Sequence, residues 1–394
     1  MATQLDSQGG RTAFWRDTRV RGVIFQAAVG LALVAFIGFI VHNTATNLDH
    51  RGLKTGFGFL GNVAGFDIGI TLIPYGMTSS YARAYLVGLV NTLAVAAVGV
   101  VFATLWGFLL GVLRLSGNWL MARLAAIYVD IMRNVPLLLQ LLFWYFGVFT
   151  ALPPLRQSLS VGGSFFLNQR GLYGPAPILL PGWQAIPIAL VAGIAAAMLI
   201  GLWARRRQAA TGRQFPIIWT ALALVLGLPV LAALAAGLPV EFELPVLKGF
   251  NFSGGAVVLP EFLALVLALS LYTAAFIAEI VRAGIMAVSH GQTEAALSLG
   301  LRPGLTTRLV VIPQALRVII PPLTSQYLNI TKNSTLAVAI GYPDLVNVFA
   351  GTVLNQTGRA IEVISITMLT YGTISLLISL FMNWYNRRVA LVER

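Results

Sequence analysis

Polar and apolar positions along this chain separate on the scale of whole segments. Uncharged runs extend from Gly22 up to Asp49 and over 84–113, 134–155, 171–204, 214–240, 262–278 and 363–386. Most exceed the roughly 20 apolar residues that a helix needs to cross a bilayer. The pattern predicts eight membrane-spanning helices, at about 22–41, 85–113, 136–153, 184–204, 215–237, 259–283, 321–341 and 361–384. An amphipathic stretch over 119–133 leads into the third. Pro136 is expected to start that span, because the missing N–H of proline falls at a helix start. Pro321-Pro322 are expected to start the seventh in the same way. The first apolar core, Gly22 to Val41, is longer than the roughly 7–15 residues of a secretory signal, and no persuasive cleavage site follows it. It reads as an uncleaved span. The segments 42–84, 151–183 and 238–258 read as loops, and Phe57-Gly58-Phe59-Leu60 in the first is expected at the membrane–water interface.

One short polar interval breaks the apolar pattern in the second half. Ser289 and Gln292, three apart, fit a capping box. Gly300 suits the left-handed residue that ends a helix, and Pro303 blocks continuation. These signals predict a helix over 290–299, roughly 15 Å long at ~1.5 Å per residue. A helix this short cannot bury itself in its own loop. It lies on the lipid surface or docks against a partner.

Composition sharpens the class. Of 394 residues 58% are hydrophobic and only 10% charged, with mean hydropathy +0.83. An ordinary soluble domain is roughly a quarter charged, so this is an all-α integral membrane protein. There is no cysteine, which excludes disulfides, thiolate metal sites and cysteine nucleophiles. His42, His50 and His290 have no ligand spacing, so no metal site is expected. None of the lysines, Lys54, Lys248 and Lys332, follows a glycine as a phosphate-cradling loop requires. The chain is therefore expected to hydrolyse no ATP and to hold no catalytic residue or cofactor. The net charge of +13 is explained by arginines on one side of the membrane rather than by nucleic acid. All but eight of the 26 basic residues (Arg51, Lys54, Arg83, Arg156, Arg170, Lys248, Lys332 and Arg359) fall in segments on one side of the eight-span arrangement. Those segments include both termini and the 290–299 helix, which places all three in the cytoplasm.

Ionisable residues inside spans usually face a bundle interior or a pathway. Ser325, Asn329, Lys332 and Asn333 share spacings of three and four and so one helix face. Lys332 lies about eleven residues into the predicted seventh span, near mid-bilayer. Tyr272 and Glu279 are two turns apart, and Arg282 follows Glu279 by three. Two readings stand side by side. In one, Glu279 pairs with Arg282, and Lys332 caps carbonyls or pairs across helices. In the other, these faces line a substrate path. Asn91-Thr92 is a weaker candidate, since polar side chains between helices are often packing glue. Asp130 and Arg133, three apart, read as a local ion pair that orients the amphipathic stretch.

Two motifs resemble a known family. Glu294-Ala295-Ala296, then Gly300, then Val310-Val311-Ile312-Pro313 is similar to the loop that couples membrane subunits of bacterial ABC importers to their ATPases. Asn91-Thr92-Leu93, Tyr128-Val129-Asp130, Arg133-Asn134-Val135-Pro136-Leu137 and Gln140 resemble the first conserved block of the polar amino-acid uptake permeases. Asn134 and Val135 depart from that family's usual wording there. The enlarged layout, with Asn168-Gln169-Arg170-Gly171, is similar to the first permease of the Aap/Bzt-type general L-amino-acid importers.

The resemblance implies a type I permease core of five spans, in 85–154 and 258–394. One N-terminal span in 1–84 and two inserted spans in 155–257 are extra. It implies a coupling loop over about 287–312, with Glu294, Ala295, Ala296, Gly300 and Pro313 meeting the ATPase. Contact with the partner ATPase is then the alternative for Asp130 and Arg133. It also implies a homologous sister permease, two ABC ATPase subunits that use the ATP and magnesium, and a periplasmic amino-acid-binding protein. The location would be the bacterial inner membrane. A zwitterionic L-amino acid needs donors for its carboxylate and an acceptor for its ammonium, and Asn91, Thr92, Tyr272, Glu279, Asn329, Lys332 and Asn333 are the candidates. A secondary carrier driven by an ion gradient is the main alternative. Such carriers commonly show paired broken helices in repeated halves, and no such pairing is visible. A non-transport membrane scaffold is the other.

Overall fold

The computed structural model describes residues 18–50 and 56–389. Arg11, Arg16, Arg51, Lys54 and Arg394, which entered the charge count above, lie outside them. Twelve α-helices are described: α1 (Thr18–His50), α2 (Tyr81–Leu113), α3 (Trp119–Asn134), α4 (Leu137–Leu142), α5 (Ala185–Thr211), α6 (Ile217–Ala235), α7 (Pro260–Met286), α8 (His290–Ser298), α9 (Pro303–Thr306), α10 (Ile312–Asn333), α11 (Leu354–Thr357) and α12 (Ala360–Val389). Seven segments are long and apolar enough to cross a membrane, and α3 with 137–149 forms a pair bent by 104° that makes an eighth. The bend sits at Val135-Pro136. There the broken helix leaves carbonyls open, and the buried Gln140 side chain donates to those of Met132 and Val135 at 2.9 and 3.0 Å. Pro136 stands immediately before α4, close to the expected role. Asp130 and Arg133 form no ion pair among the described residues. Instead the Arg133 guanidinium lies over the Phe276 ring at 5.3 Å.

The seventh span differs from expectation. Pro321 and Pro322 lie inside α10, not at its start. The helical run begins at Pro303, passes through a π-turn over Thr307–Val311 and continues to Asn333. An interior proline removes a hydrogen bond at a cost of about 3 kcal/mol. It is tolerated here because α10 is started upstream and its other face, with Ala315, Ile319, Ile320 and Leu323, is buried in the core. Lys332 consequently stands in the last turn of α10, not at the centre of a span.

The two long loops are partly sheet, which the sequence did not foreshadow. Eight short strands form there: β1 (Leu159–Val161), β2 (Phe165–Asn168), β3 (Gly171–Gly174), β4 (Ala176–Leu179), β5 (Val240–Glu243), β6 (Val246–Lys248), β7 (Asn251–Ser253) and β8 (Ala256–Val258). An antiparallel sheet runs β1-β2-β3-β8, and β4-β5 and β6-β7 are two-stranded ribbons. Strands of three or four residues are too short to display a two-residue period. Asn168 is fully buried, donating to Ser158 Oγ at 3.0 Å and accepting from Arg170 N–H at 2.8 Å, so the Asn168–Gly171 signature builds the β2–β3 turn. β8 leads straight into α7, and α7 ends just before α8, so the sheets and α8 lie at opposite ends of the bundle.

The core is the contact of α2 with α7, extended by α10. Small residues on α2 let the backbones approach. A Cβ on Gly107 would stand 2.6 Å from Ile277 Cβ, so no larger residue fits there. Segment 56–80 packs over the sheet end. Gly56 N–H donates to Glu362 at 2.7 Å, and Phe59 is buried with Leu345, Phe349 and Val363. Of the stretch expected at the interface, Phe59 is buried against the protein, while Phe57 is exposed.

Gly107→Leu is expected to destabilise the detergent-solubilised protein by about 1–3 kcal/mol, the usual cost of overpacking. Gly117→Leu, with open space around it, should melt like the wild type. Equal melting temperatures for the two variants would contradict the α2–α7 contact described.

Candidate functional site

α8 forms where the sequence places it, and its ends explain why. Ser289 occupies the cap position, but its hydroxyl makes no capping bond. The Gln292 side chain is turned instead to Gln314 at 3.4 Å, so the expected capping box is absent. The far end closes as expected. Gly300 takes φ +78°, Leu301 N–H donates to Ala296 O at 3.2 Å and Gly300 N–H to Leu297 O at 2.9 Å. This double bond pattern is the Schellman closure, which needs the left-handed conformation that glycine adopts freely. Pro313 sits in the first turn of α10.

The placement of α8 leaves a face without cover. Ala296 is the one buried residue of the helix, turned into the bundle beside α9 and the following π-turn. Glu294 and Ala295 are exposed, and Leu299 is 83% exposed. A carboxylate, a small side chain and a bare leucine therefore project together at the end of the bundle away from the sheets.

Asn91 and Thr92 are both fully buried. Asn91 Nδ2 donates to Ile70 O and Pro343 O, both at 2.9 Å, and Tyr342 OH donates to Asn91 O at 3.1 Å. Thr92 Oγ1 accepts from Leu345 N–H at 3.0 Å. Together they staple segment 341–345 and the loop at Ile70 onto the first half of α2. Asp344, missed in the sequence reading, is fully buried in that segment and accepts from Asn347 N–H at 2.8 Å. Its signal was available: it is the sole acidic residue between Glu294 and Glu362.

Glu279 is half-buried near the α8 end. It accepts from Arg282 at 2.5 Å, as one sequence reading had it, and also pairs with Arg114 at the end of α2. Both arginines lean on one carboxylate, leaving a net positive charge in the cluster. Tyr272, one stripe up α7, stacks at 5.0 Å on Phe276. On α10, Ser325, Asn329 and Lys332 are exposed on a single stripe, and Asn333 is half-buried beside it. The Lys332 ammonium has no ion pair among the described residues. The structure thus separates the candidates. Asn91 and Thr92 brace the fold, Glu279 joins two helices, and the α10 stripe faces away from the core of this chain. Among the described residues no group of His, Asp and Glu is arranged to hold a metal.

A polar, cation-bearing stripe on α10 and a short unshielded helix at one end of the same bundle are thus left uncovered. Comparison with known sequences identifies the family. The profile of the family described as "Binding-protein-dependent transport system inner membrane component" matches residues 189–391. The chain is 54% identical over 378 residues to the general L-amino acid transport system permease protein AapQ of Rhizobium johnstonii, covering 96% of this chain and 94% of that one. It is 54% identical over 388 residues to the putative amino-acid ABC transporter permease protein YhdX of Escherichia coli, covering 98% of each. It is 44% identical over 410 residues to the glutamate/glutamine/aspartate/asparagine transport system permease protein BztB of Rhodobacter capsulatus, covering 96% of each. These relatives match across the inserted helices and sheets as well as the core. The chain is a multi-pass membrane protein that belongs to the family of inner membrane components of binding-protein-dependent transport systems.

Proposed function

We propose that the chain is the transmembrane permease subunit of an ATP-driven importer of polar or broad-range L-amino acids. The observation that carries this reading is α8, held at the bundle end by Ala296 and the Gly300 closure with Glu294, Ala295 and Leu299 uncovered. The arginine bias puts that end in the cytoplasm, with both termini, and the sheets in the periplasm. A separate ABC ATPase binds there and uses the ATP and magnesium. Two ATPase subunits serve two permeases, this chain and a homologous sister. A periplasmic amino-acid-binding protein delivers substrate at the sheet end. Closure of the ATPase pair moves α8, and α8 is joined to α7 and α10 by short links, so the two core helices move with it.

The substrate path is assigned to the exposed α10 stripe, Ser325, Asn329 and Lys332, with Asn333 beside it and Tyr272 on α7. Among the described residues no carboxylate pairs with Lys332, so its charge is available to a substrate carboxylate. Glu279 is already shared by two arginines and serves the helix junction. A path that grips only the ammonium and carboxylate common to all amino acids accounts for a broad side-chain range.

Glu294→Arg in the intact complex is expected to leave insertion unchanged and to abolish stimulation of ATPase activity by substrate-loaded binding protein. Normal stimulation in that variant would count against the coupling role. Lys332→Gln is expected to lower uptake of acidic, neutral and basic amino acids alike in ATP-loaded vesicles. Loss confined to one side-chain class would place Lys332 in side-chain selection instead. Uptake driven by an ion gradient without ATP would favour a secondary carrier.

A further inference from the structure

We infer that the turn between α5 and α6 is a binding site for the phosphate-bearing headgroup of an anionic phospholipid. Three independent features meet there. The first is charge. Residues 184–240 contain no Asp or Glu, and their four arginines, Arg205, Arg206, Arg207 and Arg213, fall within nine positions. Arg206, Arg207 and Arg213 are exposed, and the cluster has no acidic neighbour on its own element to neutralise it.

The second feature is the shape of the turn. α5 carries its arginines beyond the last apolar residues, through Thr211, and Gly212 ends it at φ +68° with its N–H on Gln208 O. The chain turns back within 212–216, which brings Arg213 alongside the last turn of α5. Trp203 packs edge-on against Phe215 with ring centroids 5.6 Å apart, and the Arg207 guanidinium lies 5.2 Å over the Trp203 ring. The rings close the turn and hold Arg207 at their level. Trp219, in the first turn of α6, is 74% exposed. Tryptophan at that depth marks the headgroup region, and a guanidinium fork matches phosphate oxygens. α6 begins at the same turn with no side-chain cap.

The third feature is isolation. α5 and α6 pack closely on each other, so that a Cβ on Gly193 would stand 2.5 Å from Leu224 O. Neither helix has an extended contact with the core, and no residue of α6 is buried. The hairpin is connected to the sheets by the β4-β5 ribbon, at the opposite end from its arginines. The free end is positioned by what surrounds it, and the basic, aromatic turn selects an anionic lipid surface. Charge alone attracts any anion, but the exposed rings and the apolar helix walls below them favour a headgroup with acyl chains over free phosphate.

The test uses the purified full-length chain in zwitterionic micelles doped with either phosphatidylglycerol or phosphatidylcholine, with bound lipid counted by native mass spectrometry. The wild type should retain phosphatidylglycerol in preference, and added inorganic phosphate should not displace it. Combined Arg206→Gln, Arg207→Gln and Arg213→Gln should weaken phosphatidylglycerol retention at least about tenfold. The matching arginine-to-lysine variant should keep most of it, which separates charge from misfolding. Equal retention of the two lipids by the wild type, displacement by inorganic phosphate, or undiminished retention by the glutamine variant would each overturn the assignment.

Discussion

Close approach of α2 to α7 is the constraint from which the arrangement of this chain follows. Inside a bilayer there is no hydrophobic gain in bringing two apolar helices together, so contact depends on packing and on the few available hydrogen bonds. α2 meets that requirement with glycine and alanine along its buried side, where Ala103 and Gly107 stand against Ile277. The contact is then fastened at two levels. Near one end Glu279 of α7 holds Arg114 of α2. Along its length Asn91 and Thr92 hold segment 341–345, and with it the start of α12.

A rigid pair of this kind changes what the neighbouring elements can do. α8 is a few residues from the end of α7 and is tied back to the bundle through Ala296 and the Gln292–Gln314 contact. α7 is in turn joined to α2 through Glu279 and Arg114. The same frame leaves one face of α10 turned away from the core of this chain. Its polar stripe ends at Lys332, so this charge stands on the element that the frame supports, while the charges of the frame itself, Glu279 with Arg114 and Arg282, are paired with one another.

The inserted region behaves as a module with two different ends. Its strands are integrated with the core, since β8 pairs with β3 and runs into α7. Its helices are not, and α6 is exposed to its surroundings along its whole length. Sheet and hairpin are thus joined on one side to the mouth of the bundle and on the other to the arginine turn. The relatives that match across nearly the whole chain share the insertion, which makes it a property of this branch of the family rather than a decoration of one chain.

Much of this was written in local sequence. Uncharged runs of span length located the membrane helices, because partition between water and lipid depends on a segment's own composition. Gly300 and Pro303 located the end of α8, because a left-handed residue and a missing N–H act within one turn. The two motifs pointed to the family before any coordinates. Other features were out of reach for a physical reason. Pro321 and Pro322 look like a helix start, and only the upstream run from Pro303, packed on the core, makes them interior. Arg114 is the second partner of Glu279 across 165 residues of sequence, and β3 finds β8 across about half that distance. Asn91 and Thr92 offered the same polar atoms to a pathway or to a brace, and the arrival of Pro343 and Leu345 decided for the brace. The sequence by itself determined which segments enter the membrane and where the short helix stops, since those depend on neighbours along the chain. Which polar groups are consumed by the fold and which stay free was decided by contacts between distant segments, and those exist only once α2 and α7 have come together.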